Sequence, residues 1–150
     1  MPYNYKIIKE LKLNYVKASG IVLGKEIVDS ARKMFKDPDW SCVRKQISDF
    51  KEVKELVITF QEFEKIIGVE KEQNEEQEKI HKGEIGKLAI VANKEIYDII
   101  FKLYEIKTKD GFHKTKLFNT LDNALIWLYE LPANKNKEYD VKKVFTELSI

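Results

Sequence analysis

The first part of the chain alternates hydrophobic and polar residues with the period of two that is typical of strands. β-forming residues recur with partial alternation from Tyr3 to Val22, and the pattern is interrupted near Leu11–Leu13. It predicts two antiparallel strands with a tight connection between them. From Lys25 to Lys36 the spacing changes to that of a helix, whose apolar stripe is formed by Ile27, Val28, Ala31, Met34 and Phe35.

The middle of the chain continues this succession of strands and helices. Trp40–Phe50 has the composition of a strand, and Lys51–Leu56 is polar enough to predict a loop. A helix is predicted to begin at Thr59, because Thr59 and Glu62 match a capping box. Its apolar spacing ends before Glu70–Lys82, which we interpret as a frayed helix end or a flexible insert.

The second half of the chain contains the strongest strand signal. The continuous apolar run Leu88–Ala92 predicts a central strand that is buried on both faces. The patterns that follow predict a helix over Lys94–Lys107, a charged strand near the sheet edge over His113–Phe118, and a last helix that begins at Asn119–Asp122 and ends at Pro132.

These elements together predict one α/β domain. Their order is β-β-α-β-α-β-α-β-α, which calls for a mixed, mostly parallel sheet with right-handed crossovers and flanking helices. We expect the domain to span residues 1–132. Residues 133–150 form a polar C-terminal tail, in which the spacing of four apolar residues suits a short docking helix: Val141, Val144, Phe145 and Leu148.

The composition narrows the class of protein. Of the 150 residues, 43% are hydrophobic and 35% are charged, which is typical of a globular domain and not of a disordered chain. No apolar run approaches the roughly 18 residues that indicate a membrane span, and Met1–Glu10 lacks the features of a signal peptide. The single cysteine, Cys42, fits a reducing compartment, so we expect a cytoplasmic protein.

The charge balance argues against binding to nucleic acid. The formal net charge is only +2, and arginine occurs only at Arg32 and Arg44. Proteins that bind nucleic acid usually concentrate Lys and Arg on one face, and Arg is the side chain best suited to bidentate phosphate or base contacts. We therefore expect a protein partner or self-association, and no nucleic-acid partner.

No set of side chains has the spacing of a catalytic, metal or cofactor site. His81 and His113 are far apart, and neither has metal-ligand spacing with Cys42, which is expected in mid-strand as a small hydrophobic residue. Gly83–Gly86 has neither the P-loop nor the dinucleotide-binding pattern. We expect no catalytic residues, no metal and no cofactor.

An aromatic stripe on the predicted Lys94–Lys107 helix is a candidate interface. Tyr97, Phe101 and Tyr104 lie beside the stripe that is expected to face the core. They belong either to a wide buried face of that helix or to a surface for a dimer or a protein partner, since aromatic side chains are enriched in interface centres.

Three stretches, taken in order, resemble a known fold. They are Gly20–Phe35 with the strand that ends at Asp49, the run Lys87–Ala92, and Lys116–Phe118 followed by Leu121–Leu128. Together they resemble the SpoIIAA-like fold of STAS domains and SEC14-type lipid-transfer proteins. More narrowly, the chain resembles the small bacterial SpoIIAA-like or STAS-like proteins of unassigned function. The resemblance spans residues 5–130.

The resemblance directs attention to the segment Asp49–Thr59. It implies a partner kinase and a phosphorylated serine after the third strand, as in anti-sigma antagonists, but this segment lacks their Asp-Ser pair and its only hydroxyl is Thr59. Thr59 is therefore either a helix cap or a phosphoacceptor. Asp49, expected at the carboxyl end of a strand, is either a hydrogen-bond acceptor in a loop or part of a ligand site.

Three functional hypotheses follow. The leading one is a non-enzymatic interaction or regulatory module, which requires a filled core and a flat or apolar surface patch. The alternative is a small apolar-ligand or lipid-binding protein of SEC14-like type, which requires a closed apolar cavity between the sheet and the helices after Gly24 and Thr59. The third is an enzyme that uses few protein groups.

Overall fold

Five strands of the described chain lie in one sheet, in the same order in space as in sequence. The computed structural model describes residues 3–82, 86–93 and 113–130, together with positions 143 and 146. Its strands and helices are β1 (Tyr3–Ile8), β2 (Leu13–Leu23), α1 (Gly24–Phe35), β3 (Lys45–Val57), α2 (Phe60–Ile80), β4 (Gly86–Val91), β5 (His113–Phe118) and α3 (Leu121–Leu128).

The pairing of the strands confirms the predicted mixed, mostly parallel sheet. β1 and β2 pair antiparallel through a short 3-10 turn, Lys9–Leu11, while β3, β4 and β5 each join the preceding strand in parallel. Parallel neighbours need crossover connections, and α1 and α2 supply those on either side of β3. The predicted helix Lys94–Lys107 and the tail 133–150 lie outside the described residues.

Helices cover both faces of the sheet, so the core has two layers. Under α1 and α2, one face buries Val22, Phe50 and Ile90. Under α3, the other face buries Tyr15, Ile47 and Val91, among other residues. Neighbouring residues of β4, such as Ile90 and Val91, thus face opposite layers, which confirms that the apolar run is a central strand buried on both sides.

The strand predicted over Trp40–Phe50 begins later than expected. Trp40–Cys42 forms a 3-10 turn, and β3 starts at Lys45. The Trp40 ring packs on Phe35 of α1, with ring centroids 4.8 Å apart, and therefore anchors the turn to the helix instead of entering the sheet. The prediction that Cys42 lies in mid-strand is wrong, because it lies in this turn and is exposed.

The loop predicted over Lys51–Leu56 is also absent. β3 continues to Val57 because the second half of β2 pairs with it, with Ser19 opposite Glu52 and Leu23 opposite Val57. Two register shifts in this pairing break the simple alternation of apolar residues, so the sequence shows mainly exposed charges. β4 pairs with β3 only as far as Asp49, so the last part of β3 extends beyond the end of β4.

The polar stretch Glu70–Lys82 is neither frayed nor an insert, since α2 continues to Ile80. The inner side of this part of α2 is held against the rest of the domain by hydrogen bonds. The Gln73 amide donates to the Ala31 carbonyl of α1 at 2.7 Å, and the buried Gln77 accepts from Arg44 at 3.3 Å and donates to the Trp40 carbonyl at 3.4 Å. Hydrogen bonds of this kind leave no apolar periodicity in the sequence.

The polar docking of α2 predicts a specific loss of stability. Gln77→Ala removes both hydrogen bonds from a buried position, and we expect it to lower the free energy of unfolding by about 1–3 kcal/mol. Glu75→Ala, an exposed change on the same helix, should alter it by less than about 0.5 kcal/mol. Urea denaturation measures both values, and equal effects of the two changes would show that Gln77 does not hold the helix.

Candidate functional site

The starts of α1 and α2 lie side by side at the carboxyl ends of β2 and β3. Leu23 and Val57, the last residues of these strands, are paired in register, so the two chains leave the sheet together and both turn into helices. We call this region, Ile21–Lys25 and Val57–Glu62, the helix corner. In open α/β sheets the carboxyl ends of strands are where functional sites usually occur.

The carboxylate of Glu62 joins the two helix starts. It accepts a hydrogen bond from the Thr59 N–H at 2.9 Å, while the Thr59 hydroxyl accepts from the Glu62 N–H at 3.1 Å, so the predicted capping box is confirmed. The same carboxylate reaches the first turn of α1, where the backbone N–H of Lys25 helps to lower its pKa. One side chain of α2 therefore caps its own helix and lies against the N-terminus of the other.

The electrostatics of this arrangement favour the charged form of Glu62. The Thr59 N–H, and after it the Thr59 hydroxyl, the Lys65 ammonium and the Lys25 N–H, lower the pKa of the Glu62 carboxyl from its ordinary value of 4.5. A negative charge at a helix N-terminus is also favoured by the helix dipole. The corner is thus fixed by a carboxylate that stays ionised at neutral pH.

Gly24 makes the close approach of the two helices possible. A Cβ atom at this position would lie 2.7 Å from Glu62 Oε1 and 2.9 Å from Glu62 Cβ, closer than carbon atoms pack in proteins. The absence of a side chain at Gly24 therefore admits Glu62 to the start of α1.

Exposed apolar side chains surround the helix corner. Four of the six large hydrophobic residues that are exposed in the described chain lie here, with exposed fractions of 57% for Ile21, 45% for Leu23, 44% for Val57 and 74% for Phe60. Ile21 and Leu23 alternate with the buried Val22, so both point away from the α1–α2 layer. A cluster of this kind on a surface is typical of a contact site for another molecule.

The structure does not bring the two candidate residues Asp49 and Thr59 together. Thr59 lies at the helix corner and is exposed. Asp49 is buried within β3, where it accepts hydrogen bonds from the Tyr15 hydroxyl at 2.6 Å and from the Lys51 N–H at 3.1 Å. The strand between them spans roughly 26 Å. The expectation that Asp49 ends a strand is wrong, because β3 continues to Val57.

Asp49 and Tyr15 form a structural pair between β2 and β3. Burial raises the pKa of the Tyr15 hydroxyl well above its ordinary value, and the hydrogen bond to Asp49 raises it further. The hydroxyl therefore stays protonated and donates to the carboxylate. The pair lies where β4 stops pairing with β3 and gives Asp49 a packing role in the sheet.

The remaining candidates fall outside the helix corner. Tyr97, Phe101 and Tyr104 lie outside the described residues. His81 follows α2, and its Nε2 atom lies 2.6 Å from the Ser41 carbonyl, next to the exposed Cys42. Among the residues that the structure describes, no group of three or more His, Cys, Asp or Glu side chains could hold a metal ion.

The cavity that a lipid-binding protein requires is small in the described structure. A cavity of about 50 Å³ lies between α2 and the sheet, lined by Phe50, Phe63, Ile66 and Leu88 among others. Even a cavity that binds benzene measures roughly 150 Å³. The space between α2 and the sheet is therefore nearly filled.

None of the described helices is both long and apolar enough to cross a membrane.

Sequence comparison finds no matching family model and no matching curated protein. Among solved structures, the chain is similar to the anti-sigma factor antagonist SpoIIAA in its unphosphorylated form, at 10% identity, with a TM-score of 0.53 over 86% of this chain and 99% of that one. An uncharacterised protein of the DUF3478 family from Shewanella loihica, with a SpoIIAA-like fold, is 17% identical and has a TM-score of 0.45 over 84% of this chain and 91% of its own.

The similarity to the SpoIIAA structure confirms the predicted fold class. The chain has a SpoIIAA-like fold, with the mixed sheet and flanking helices that the sequence patterns predict. At such low identity, the similarity establishes the architecture of the chain, and function has to be argued from its own residues.

The bridge made by Glu62 predicts a pH-dependent contribution to stability. Because the pKa of Glu62 is lower in the folded state, its contribution is present above the ordinary pKa of 4.5 and is lost as the pH falls. We expect Glu62→Gln to reduce the urea midpoint near pH 7 and to have a smaller effect near pH 3.5, because protonation of Glu62 at low pH removes the charge on which its contribution depends.

The exposed residue Glu75 supplies the control for this experiment, since Glu75→Gln changes the same charge farther along α2. It should leave the midpoint unchanged at both pH values. A Glu62→Gln effect of equal size at both pH values would contradict the assignment of a charged bridge.

Proposed function

We propose, from the SpoIIAA-like fold and from the chemistry of the helix corner, that this chain is a non-enzymatic regulatory module that binds a partner protein. The observation that carries the proposal is the apolar cluster Ile21, Leu23, Val57 and Phe60 around two adjacent helix starts. The solved SpoIIAA is an anti-sigma factor antagonist. A role in binding a protein is what we infer for this chain as well.

The composition around the apolar cluster supports a protein partner. Exposed charged residues of both signs border it: Lys25, Lys54, Glu55 and Glu64. An apolar centre with a polar, charged rim is the usual organisation of a protein–protein interface. The mixed signs in this rim favour a partner with its own pattern of charges over a uniformly charged polymer.

The rigidity of the corner also supports this role. Glu62 caps α2 and lies against the start of α1, and Gly24 allows the contact, so the backbone that presents the four apolar side chains is held in place before any partner arrives. A preorganised surface loses less conformational entropy when it binds.

The compartment we propose is the cytoplasm, since Cys42 is a free, exposed thiol and persists best under reducing conditions.

A pair of matched variants tests the proposed surface. Phe60 and Ile80 are exposed apolar residues near opposite ends of α2. Phe60→Asp places a charge in the apolar cluster, while Asp is tolerated at a helix N-terminus. We expect Phe60→Asp to reduce the recovery of partner proteins from native cells at least about tenfold, which corresponds to losing one interface anchor.

Ile80→Asp is the control and should retain the partners that the unchanged protein recovers. Quantitative mass spectrometry of affinity-purified samples measures both variants, and circular dichroism confirms that each is folded. Equal recovery by Phe60→Asp and Ile80→Asp would show that the helix corner is not the binding surface.

We further propose that Thr59 is the position at which this binding is regulated. Its hydroxyl is exposed at the corner and lies beside Phe60. A phosphate on Thr59 would compete with the Glu62 carboxylate for the N–H groups at the start of α2 and would repel it. Phosphorylation would thereby release the link between the two helix starts and change the surface that the partner contacts.

Two Thr59 variants separate this switch from a simple cap. Thr59→Asn keeps a good N-cap residue and should retain the partners, while Thr59→Glu adds a charge and should lose them. Phosphopeptide mapping of protein from native cells should find phosphate on Thr59. If Thr59 carries no phosphate under any growth condition, the switch is wrong and Thr59 is only a cap.

A further inference from the structure

Three lysines lie side by side across three neighbouring strands of the sheet. Lys45 of β3 is paired in register with Lys87 of β4, and Lys87 is paired with Lys114 of β5. Residues in register on parallel strands point to the same face of a sheet. This face is the one that α3 covers, because the Lys87 ammonium donates to the Trp127 carbonyl of α3 at 3.3 Å. We call Lys45, Lys87 and Lys114 the lysine row.

The general uses of lysine in a sheet do not explain the lysine row. Like charges that lie directly opposite each other on neighbouring strands destabilise a sheet. Lysines often protect an exposed edge, which accounts for Lys114 at the end of the described sheet. It does not account for Lys45 and Lys87, because β3 and β4 have neighbouring strands on both sides. The Lys87 side chain is only 15% exposed, so its charge needs a counterion.

The chain itself places a carboxylate on the lysine row. Glu130 Oε1 lies 3.0 Å from Lys87 Nζ, while the Glu130 side chain is 80% exposed. The hydrogen bond and the charge of Lys87 lower the pKa of this carboxyl, and the charges of Lys114 and Lys45 lower it further. The lysine row therefore already holds an anionic group, and that group is open to solvent.

The backbone of Glu130 has a conformation that glutamate rarely adopts. Glu130 directly follows the C-cap of α3 with a φ of 48°, in the left-handed region where helices usually end on glycine or asparagine. A glycine at this position would avoid the strain. The contact of the carboxylate with Lys87 gives a reason for a glutamate here. Because exposed ion pairs contribute little stability, another anion can replace this carboxylate at small cost.

We propose that the lysine row binds the phosphate group of a small molecule, which takes the place of the Glu130 carboxylate on Lys87. Lysine binds phosphate as a point charge. Lys87 and Lys114 together carry more charge than Glu130 neutralises, and the third lysine of the row adds to the positive potential. A phosphate group carries about two negative charges at neutral pH and balances this excess better than one carboxylate. One tetrahedral group also suits neighbouring strands that lie only about 4.8 Å apart.

The lysine row is separate from the partner surface proposed above. Lys45 begins β3, whereas the helix corner starts at Val57, where β3 ends. Titration of the purified protein with phosphate tests the lysine row, and recovery of partners from cells tests the corner, so the failure of one proposal leaves the other standing.

Titration with inorganic phosphate, followed by heteronuclear NMR at constant ionic strength, tests the proposal. We expect saturable shifts of the amide signals of Lys87 and Lys114. Lys87→Gln should raise the dissociation constant at least about tenfold. Because Lys87 also binds the end of α3, the exposed Lys114 supplies a variant that leaves this contact in place, and Lys114→Gln should raise the constant roughly threefold. Lys51→Gln, which removes an exposed lysine farther along β3, is the control and should not change it.

Glu130→Gln tests the exchange of one anion for the other, because it keeps the shape of the side chain and removes its charge. It should lower the dissociation constant for phosphate roughly threefold. The same titration with glycerol phosphate shows whether a phosphate ester or free phosphate binds more tightly.

Two results would overturn the proposal. One is the absence of saturable shifts with either phosphate compound, in the unchanged protein and in Glu130→Gln, even if a peptide of glutamates binds at the lysine row. The other is an equal effect of Lys114→Gln and Lys51→Gln on the dissociation constant.

Discussion

The parallel pairing of β2 with β3 beyond the end of β4 is the constraint on which the rest of the structure depends. It brings Leu23 and Val57 into register, so the two helices that follow start side by side. Glu62 can then cap α2 and lie against the start of α1, where Gly24 leaves the space for it. The same pairing exposes the ends of both strands, where the apolar residues of the helix corner lie.

Much of this fold could be predicted because local patterns and tertiary structure agree. The sequence pattern of an element shows which of its faces is buried. This holds for the alternation in β1 and β2, for the apolar stripe of α1 and for the continuous apolar run of β4, which is buried on both faces. The capping box could also be predicted, because its two residues, Thr59 and Glu62, are close together in the sequence. The order of the predicted strands and helices was enough to suggest a SpoIIAA-like fold.

The parts that could not be predicted depend on contacts between distant residues. The second half of β3 is held by its pairing with β2, and the second half of α2 by hydrogen bonds from Gln73 and Gln77 to backbone groups elsewhere in the chain. Neither kind of contact produces a periodic spacing of apolar residues in the sequence. The site shows the same limit: nothing near Gly24 in the sequence indicates that Glu62 will contact it.

The central claim is that the helix corner is the surface through which this protein acts. Hydrogen exchange followed by mass spectrometry, on the protein alone and in the complex recovered from its native cells, tests this most directly. We expect slower exchange in the complex at the amides of Ile21–Lys25 and Val57–Glu62. Protection confined to other elements, such as β5 or α3, would contradict it.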